Sequence, residues 1–332
     1  MKLNSLKNFL QYKSFILLAM LIFLASLLDK TFTTSANITN ILQQIASNGI
    51  VSVGMTLVIL TGGFDMSVGS TMALTGIVIM LMLKAGSNLF LAILCGVFVG
   101  VLTGLANGLL ISKVKLSPFI ATLATSTLSR GISFGVTNHR PVSVWNETFY
   151  QLATGSIGLI PISFLLFIVL AILTQIFISR TKLGHNIYIY GSNKEVGYAA
   201  GLNMDRTLIL TYTISGFLAS IGGLFLSSKL GTGSPVMAED VALVCTTAVI
   251  IGGNRFHGNI SSVKSMLRTV IGIFILGVLN NMLNLLGTMS YIQIIIRGLL
   301  VIIVIAVDSG VKEIRSTLVE RIKLFFRRKD FE

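Results

Sequence analysis

The chain predicts an all-α polytopic membrane protein of about ten transmembrane helices, some of them broken or re-entrant. Three observations carry that expectation. Hydrophobic residues make up 53% of the 332 positions before the 32 glycines are added, whereas soluble domains reach about 45–50% with Gly included. Charged residues are only 11% and the mean hydropathy is +0.87. Apolar runs recur along the whole sequence, and about 20 helical residues cross a hydrocarbon core of about 30 Å.

On that ruler the candidate spans are 14–28, 40–60, 70–84, 89–112, 117–136, 158–179, 207–228, 240–253, 266–286 and 290–307. The first follows a basic start (Lys2, Lys7, Lys13) but no small-x-small cleavage site, so it reads as a transmembrane helix and not as a signal peptide. The net charge of +13 does not point to nucleic acid, because the basic residues gather between the apolar runs, where they set topology. Residues 1–13 in the cytoplasm put Lys113, Lys115, the loop 180–206, Arg255 to Arg268 and the basic tail 308–332 on the same side. Lys30, Lys84, the loop 137–157 and Lys229 stay outside. An even number of spans within one transmembrane domain, 14–307, satisfies this arrangement.

Gly62-Gly63-Phe64-Asp65-Met66-Ser67-Val68-Gly69-Ser70 interrupts two of these spans. A carboxylate at bilayer depth costs roughly 2.5–3.5 kcal/mol on insertion scales, and each Gly gives up about 1 kcal/mol of helix propensity. The stretch reads as a broken helix facing the protein interior, with Gly62, Gly63 and Gly69 as hinge residues. A surface loop with Asp65 capping the following helix is the competing reading. Two echoes run through the chain: Gly100-Val101-Leu102 with Asn107 and Leu109 against Gly277-Val278-Leu279 with Asn284 and Leu286, and 60–79 against 230–249. They suggest a five-plus-five inverted repeat, against chance similarity between apolar helices.

No nucleotide-phosphate loop, dinucleotide fingerprint or metal-ligand spacing is present. His139, His185 and His257 lie far apart in loops, and Cys95 and Cys245 sit inside apolar runs. No cofactor, metal or catalytic role is expected of this chain, and any ATP hydrolysis belongs to another subunit. The polar residues inside spans are Asp65, Ser67, Asn107, Thr122, Asn280, Asn281, Asn284, Gln293 and Arg297. Asn side chains offer both donor and acceptor to a passing hydroxylated solute, or they hold helices together. Within the inner loop, Asn193 can cap a short helix, Glu195 complements its dipole, and Gly201 can end it. That helix suits docking on a soluble partner; a solvated loop is the alternative. The outer loop, with Arg140, Trp145, Glu147, Phe149 and Tyr150, suits either a protein interface or an interfacial aromatic belt. The tail after Asp308 suits a membrane-surface helix.

Four segments in order resemble the permeases of ribose/monosaccharide-type ATP-binding-cassette importers. Gly62–Ser70 is similar to their GGIDLSVGS segment, and Pro118-Phe119-Ile120-Ala121-Thr122-Leu123 to PxFIxTL. Gly184, Tyr188, Gly191, Asn193, Ala199, Ala200 and Gly201 follow their inner-loop pattern. Leu279 to Gly287, with Tyr291 and Gln293, resembles LNNGLNLLG…YxQ. The resemblance implies that Asn193, Glu195, Ala199, Ala200 and Gly201 couple to cytoplasmic ATP-binding subunits. It also implies that Asp65, Ser67, Asn107, Asn280, Asn281 and Asn284 line or gate a sugar path. The partners it implies are a second permease subunit and an extracytoplasmic sugar-binding protein, in a bacterial cytoplasmic membrane. Glu239 to Thr247 departs from the family's Glu-Leu-x-Ala-Ile-Ala-Ala, and only Gly258 survives of the glycines after Gly252-Gly253, which leaves homodimer and heterodimer open. An ion-coupled transporter with Asp65 as proton carrier, and a nucleoside or branched-chain amino-acid permease, are the alternatives.

Overall fold

A computed structural model describes residues 2–254 and 265–302, with side chains from Lys13 onward. Each expected span meets a helix. They are α1 (Lys2–Leu28), α2 (Ser35–Leu60), α3 (Val68–Lys84), α4 (Leu89–Ser112), α5 (Pro118–Thr137), α6 (Glu147–Thr154), α7 (Ile162–Arg180), α8 (Lys182–Ala199), α9 (Met204–Leu230), α10 (Val241–Ile251) and α11 (Ser265–Leu285). The described residues up to Gly287 form one compact unit. The described part of the second unit holds α12 (Ser290–Ile302). The tail 308–332, His257 and Gly258 lie outside the described residues.

The helix boundaries follow local chemistry. Thr34, Asn88, Ser117, Asn146, Thr181 and Asn203 each accept a backbone N–H in the first turn of the helix they precede, which satisfies donors that have no intrahelical partner. Pro118 occupies the first turn of α5, where its missing N–H costs nothing. Helix α1 begins at Lys2, ahead of its apolar part Lys13–Leu28, which meets the span expected at 14–28. Helix α6 and two small antiparallel pairings were not expected: β1 (Val142–Ser143) with β4 (Thr232–Gly233), and β2 (Ser156–Ile157) with β3 (Ile160–Pro161).

Among the described residues, α2, α4, α7, α9 and α11 are long and apolar enough to cross a membrane. Helix α3, with 17 residues, rises only about 25 Å, and α10, with 11, about 16 Å, at about 1.5 Å per residue. These are the short partners of broken helices. Their first residues, Val68 and Val241, share one buried apolar cluster with Met55 and Ile59 of α2 and Ala219 of α9. Exposed apolar side chains on α4 and α7, such as Phe90 (74% exposed), Phe98 and Leu173, exceed what a monomeric protein leaves to water and fit a lipid-facing surface.

The backbones of α4 and α9 approach each other closely where the two helices cross. Gly96, Gly100, Gly104 and Gly108 recur every four residues on one face of α4. A Cβ on Gly108 would lie 2.6 Å from Ile209 Cα, and one on Gly104 2.9 Å from Thr213 Cα. Gly216 answers from α9, where a Cβ would lie 2.8 Å from Gly104 Cα. Small residues at this spacing let membrane helices pack backbone on backbone. Gly104→Leu is therefore expected to separate the pair and lower the amount of folded protein in the membrane, read by immunoblot and detergent thermal midpoint. Gly131→Leu on α5, where a Cβ meets nothing within 4 Å, is the control expected to be tolerated.

Candidate functional site

The break between α2 and α3 gathers α4, α5 and α9 around one carboxylate. Gly62 turns the chain with φ of 77°, which glycine adopts without strain. Gly62 N donates to Ile59 O at 2.9 Å and Gly63 N to Val58 O at 3.1 Å. Met66 N donates to Thr122 Oγ1 of α5 at 3.1 Å. These bonds satisfy backbone freed by the interruption.

Asp65 is 1% exposed, so the stretch is interior and not a surface loop. Its Oδ1 accepts Ser67 N at 3.0 Å and Ser67 Oγ at 2.6 Å. Its Oδ2 accepts Ser215 Oγ of α9 at 2.9 Å. Ser67 Oγ in turn accepts Asn107 Nδ2 of α4 at 2.8 Å, and Asn107 Oδ1 accepts Thr125 Oγ1 of α5 at 2.6 Å. The five side chains form one continuous buried network. Intramolecular hydrogen bonds contribute about 0.5–1.5 kcal/mol each, and joined in one chain these act as a clasp across four elements.

The three hinge glycines separate into two kinds. Gly62 is the turn residue. Gly63 and Gly69 are sites of close approach: a methyl on Gly63 would overlap the Tyr212 hydroxyl, and one on Gly69 the Ala238 carbonyl. Tyr212 Oη donates to Phe64 O at 3.4 Å. Ala238, at φ of 60°, belongs to the segment between α9 and α10. Arg130 of α5 fastens that segment by donating to the carbonyls of Pro235 and Met237.

The remaining polar residues expected to line a path lie elsewhere. Asn281 of α11 exchanges amide hydrogen bonds with Asn37 of α2 at 2.8 and 3.0 Å, both residues buried. This is interhelical pairing. Asn280 is partly buried and Asn284 exposed, so Asn284 does not share the environment of Asn107, its counterpart in the sequence echo. Gln293 and Arg297 stand on α12. Cys245, Thr246 and Thr247, where the sequence departs from the family pattern, are buried on α10.

The inner segment is more helical than expected. Helix α8 runs through it but kinks at Asn193, which has φ of −161° and ψ of 99°. The Asn193 side chain accepts Glu195 N at 3.0 Å and Val196 N at 3.2 Å, and so starts a second short helix. Gly201, at φ of 72°, ends it, with Leu202 N donating to Gly197 O at 3.1 Å. Glu195, Ala199, Ala200 and Gly201 are exposed. Asp205 moors this end of the molecule: Lys113 and Lys115 each reach it at 3.0 Å, and Tyr198 Oη donates to it at 3.3 Å. Hydrogen bonding to Asp205 holds the Lys115 ammonium above its ordinary range.

Sequence reasoning missed Ser215, Thr125, Asn37, Tyr212 and Arg130. Thr125 was legible as the residue one turn after Thr122 on α5. The others carry no local signal, because their partners lie far away in sequence.

Comparison with known proteins gives this geometry a family. The family of branched-chain amino acid transport system / permease components matches residues 37–305. The ribose import permease protein RbsC of Bacillus subtilis is 34% identical over 296 residues, covering 89% of this chain and 91% of the relative. The D-allose transport system permease protein AlsC of Escherichia coli is 32% identical, covering 90% and 91%. The L-arabinose transport system permease protein AraH of E. coli is 28% identical, covering 93% of each. No solved structure gives a significant match. On these matches the chain belongs to the branched-chain amino acid transport system / permease component family.

Proposed function

We propose that the chain is the membrane-spanning permease subunit of an ATP-binding-cassette importer for a monosaccharide, a pentose or hexose. The observation that carries this reading is the 34% identity to a ribose import permease across nine-tenths of both chains. The chain crosses the cytoplasmic membrane about ten times with both ends inside, pairs with a second permease subunit, and receives its solute from an extracytoplasmic binding protein. Cytoplasmic ATP-binding subunits drive it through the short helix after Asn193, whose exposed residues leave a free face for them.

A five-plus-five inverted repeat has support in the packing. Helix α4 packs on α9 as α11 packs on α2, and α3 packs on α9 as α10 packs on α2. Gly100 approaches Gly216 and Ser220 of α9, and Gly277 approaches Ile45 of α2. The enclosure of Asp65 by three donors favours a structural clasp over a proton carrier, and so favours ATP-driven over ion-coupled transport.

The test is uptake of labelled D-ribose, D-allose and L-arabinose into proteoliposomes holding this chain with its ATPase and binding-protein neighbours. Uptake of one of these sugars is expected to require ATP and to survive a protonophore. Uptake that collapses with the protonophore, or that needs no ATPase, overturns the proposal.

A further inference from the structure

A cavity of about 450 Å³ lies between the α2–α3 break and the kink of α8. Residues 61–63 line it from the break and residues 190–195 from α8, together with Pro118 and Leu208. Its size falls in the range of small-molecule sites, about 300–1,000 Å³. It lies beside the Asp65 clasp but contains none of the side chains that make it.

The lining selects a class of ligand. Lys194 and Glu195 both line the cavity, so it offers no field of one sign to hold an ion. The helix start beyond the kink is not an anion site either, because Asn193 already occupies the amides of Glu195 and Val196. The uncharged polar groups are hydroxyls and one amide, on Thr61, Tyr190, Ser192 and Asn193. Thr61 Oγ1 donates to Val58 O at 2.7 Å, which leaves its lone pairs for a donor in the cavity. The Tyr190 ring, Pro118 and Leu208 supply apolar surface. Alternating hydroxyl partners and apolar patches match a small neutral polyol, whose edges are hydroxylated and whose faces are C–H.

We infer that this cavity binds a neutral monosaccharide from the cytoplasmic side and that its occupant restrains the importer. The inference rests on the proposed transport function and its topology. A ligand bound there holds residues 192–195 away from residues 61–63. It thereby opposes any approach of the coupling helix to the break, and a bound ligand shifts a conformational equilibrium by its differential affinity for the two states. The importer would then slow as its product accumulates inside.

The experiment uses the complete transporter in proteoliposomes, preloaded with the sugar it imports or left empty. In the unaltered protein, internal sugar is expected to lower the initial uptake rate about tenfold at about ten times its dissociation constant. Ser192→Phe fills the cavity from its exposed rim and so stands in for the occupant; the full rate of uptake into empty vesicles and the further inhibition by internal sugar are both expected to be lost. Ser192→Ala is expected to keep both. Equilibrium binding of the labelled sugar to the complex, without the binding protein, is read separately. The unaltered protein should bind it and Ser192→Phe should lose that binding. Inhibition or binding that survives Ser192→Phe, or that is absent from the unaltered protein, overturns the inference. Failure of uptake into empty vesicles by every variant rejects the transport reading instead, and the binding arm still decides the cavity.

Discussion

Replacing Asp65 with Ala is expected to remove the protein from the membrane or leave it inactive, while Asp65→Asn keeps most of its uptake. The carboxylate accepts three hydrogen bonds, two from Ser67 and one from Ser215, at 1% exposure. Ala strands those donors in a dry interior, at about 1–3 kcal/mol for each group left unsatisfied. The loss then passes along the network, because Ser67 also receives Asn107, and Asn107 receives Thr125. Asn restores the pattern: its oxygen accepts from Ser67, and its amide donates to the Ser215 hydroxyl, which turns to receive it. Detergent thermal midpoints and vesicle uptake, measured together, separate the two variants. An Asp65→Asn protein that folds normally but does not transport would show that the charge itself is needed, and would return the proton-carrier reading.

The second large effect leaves the fold untouched. Glu195→Lys and Ala199→Trp alter exposed positions whose neighbours in the chain are held by the Asn193 cap and the Gly201 turn. Their thermal midpoints are expected to match the unaltered protein. Uptake is expected to fall about tenfold or more, a coupling loss of about 1.4 kcal/mol, while the partner subunits go on hydrolysing ATP without stimulation by solute. Normal uptake with normal stimulation in both variants would place the coupling surface elsewhere.

The helices were legible because composition and apolar length decide them in a membrane. The span expected at 89–112 coincides with α4, and the one at 240–253 differs from α10 by a residue or two at each end. The break at Gly62–Ser70 was legible for a related reason: glycines and a carboxylate contradict an apolar run, and only a buried exception accommodates them. The inner cap was readable too, since Asn193 and Gly201 act within a few residues of themselves. What escaped was pairing at a distance. Asn281 carries the same local signal whether it meets a solute or Asn37, and only the crossing of α11 with α2 decides for Asn37. Ser215 looks like any small residue of an apolar helix until α9 brings it to Asp65. The glycine spacing of α4 was present in the sequence, and its meaning emerged only once Gly216 was seen facing it.

That glycine spacing also bears on how the molecule moves. Helices joined through side chains can slide, because rotamers re-sort as one surface passes the other, and shear of this kind is confined to small steps. At Gly104, Gly108 and Gly216 the contact between α4 and α9 is main chain on main chain, with no rotamers to exchange there. The two helices therefore behave as a single stiff lever, with one end near the Lys113–Asp205 mooring and the Asp65 clasp partway along it. A push delivered at the Lys113–Asp205 end would reach the clasp as a tilt of the pair, with the compliance left to the interfaces that have side chains to spare.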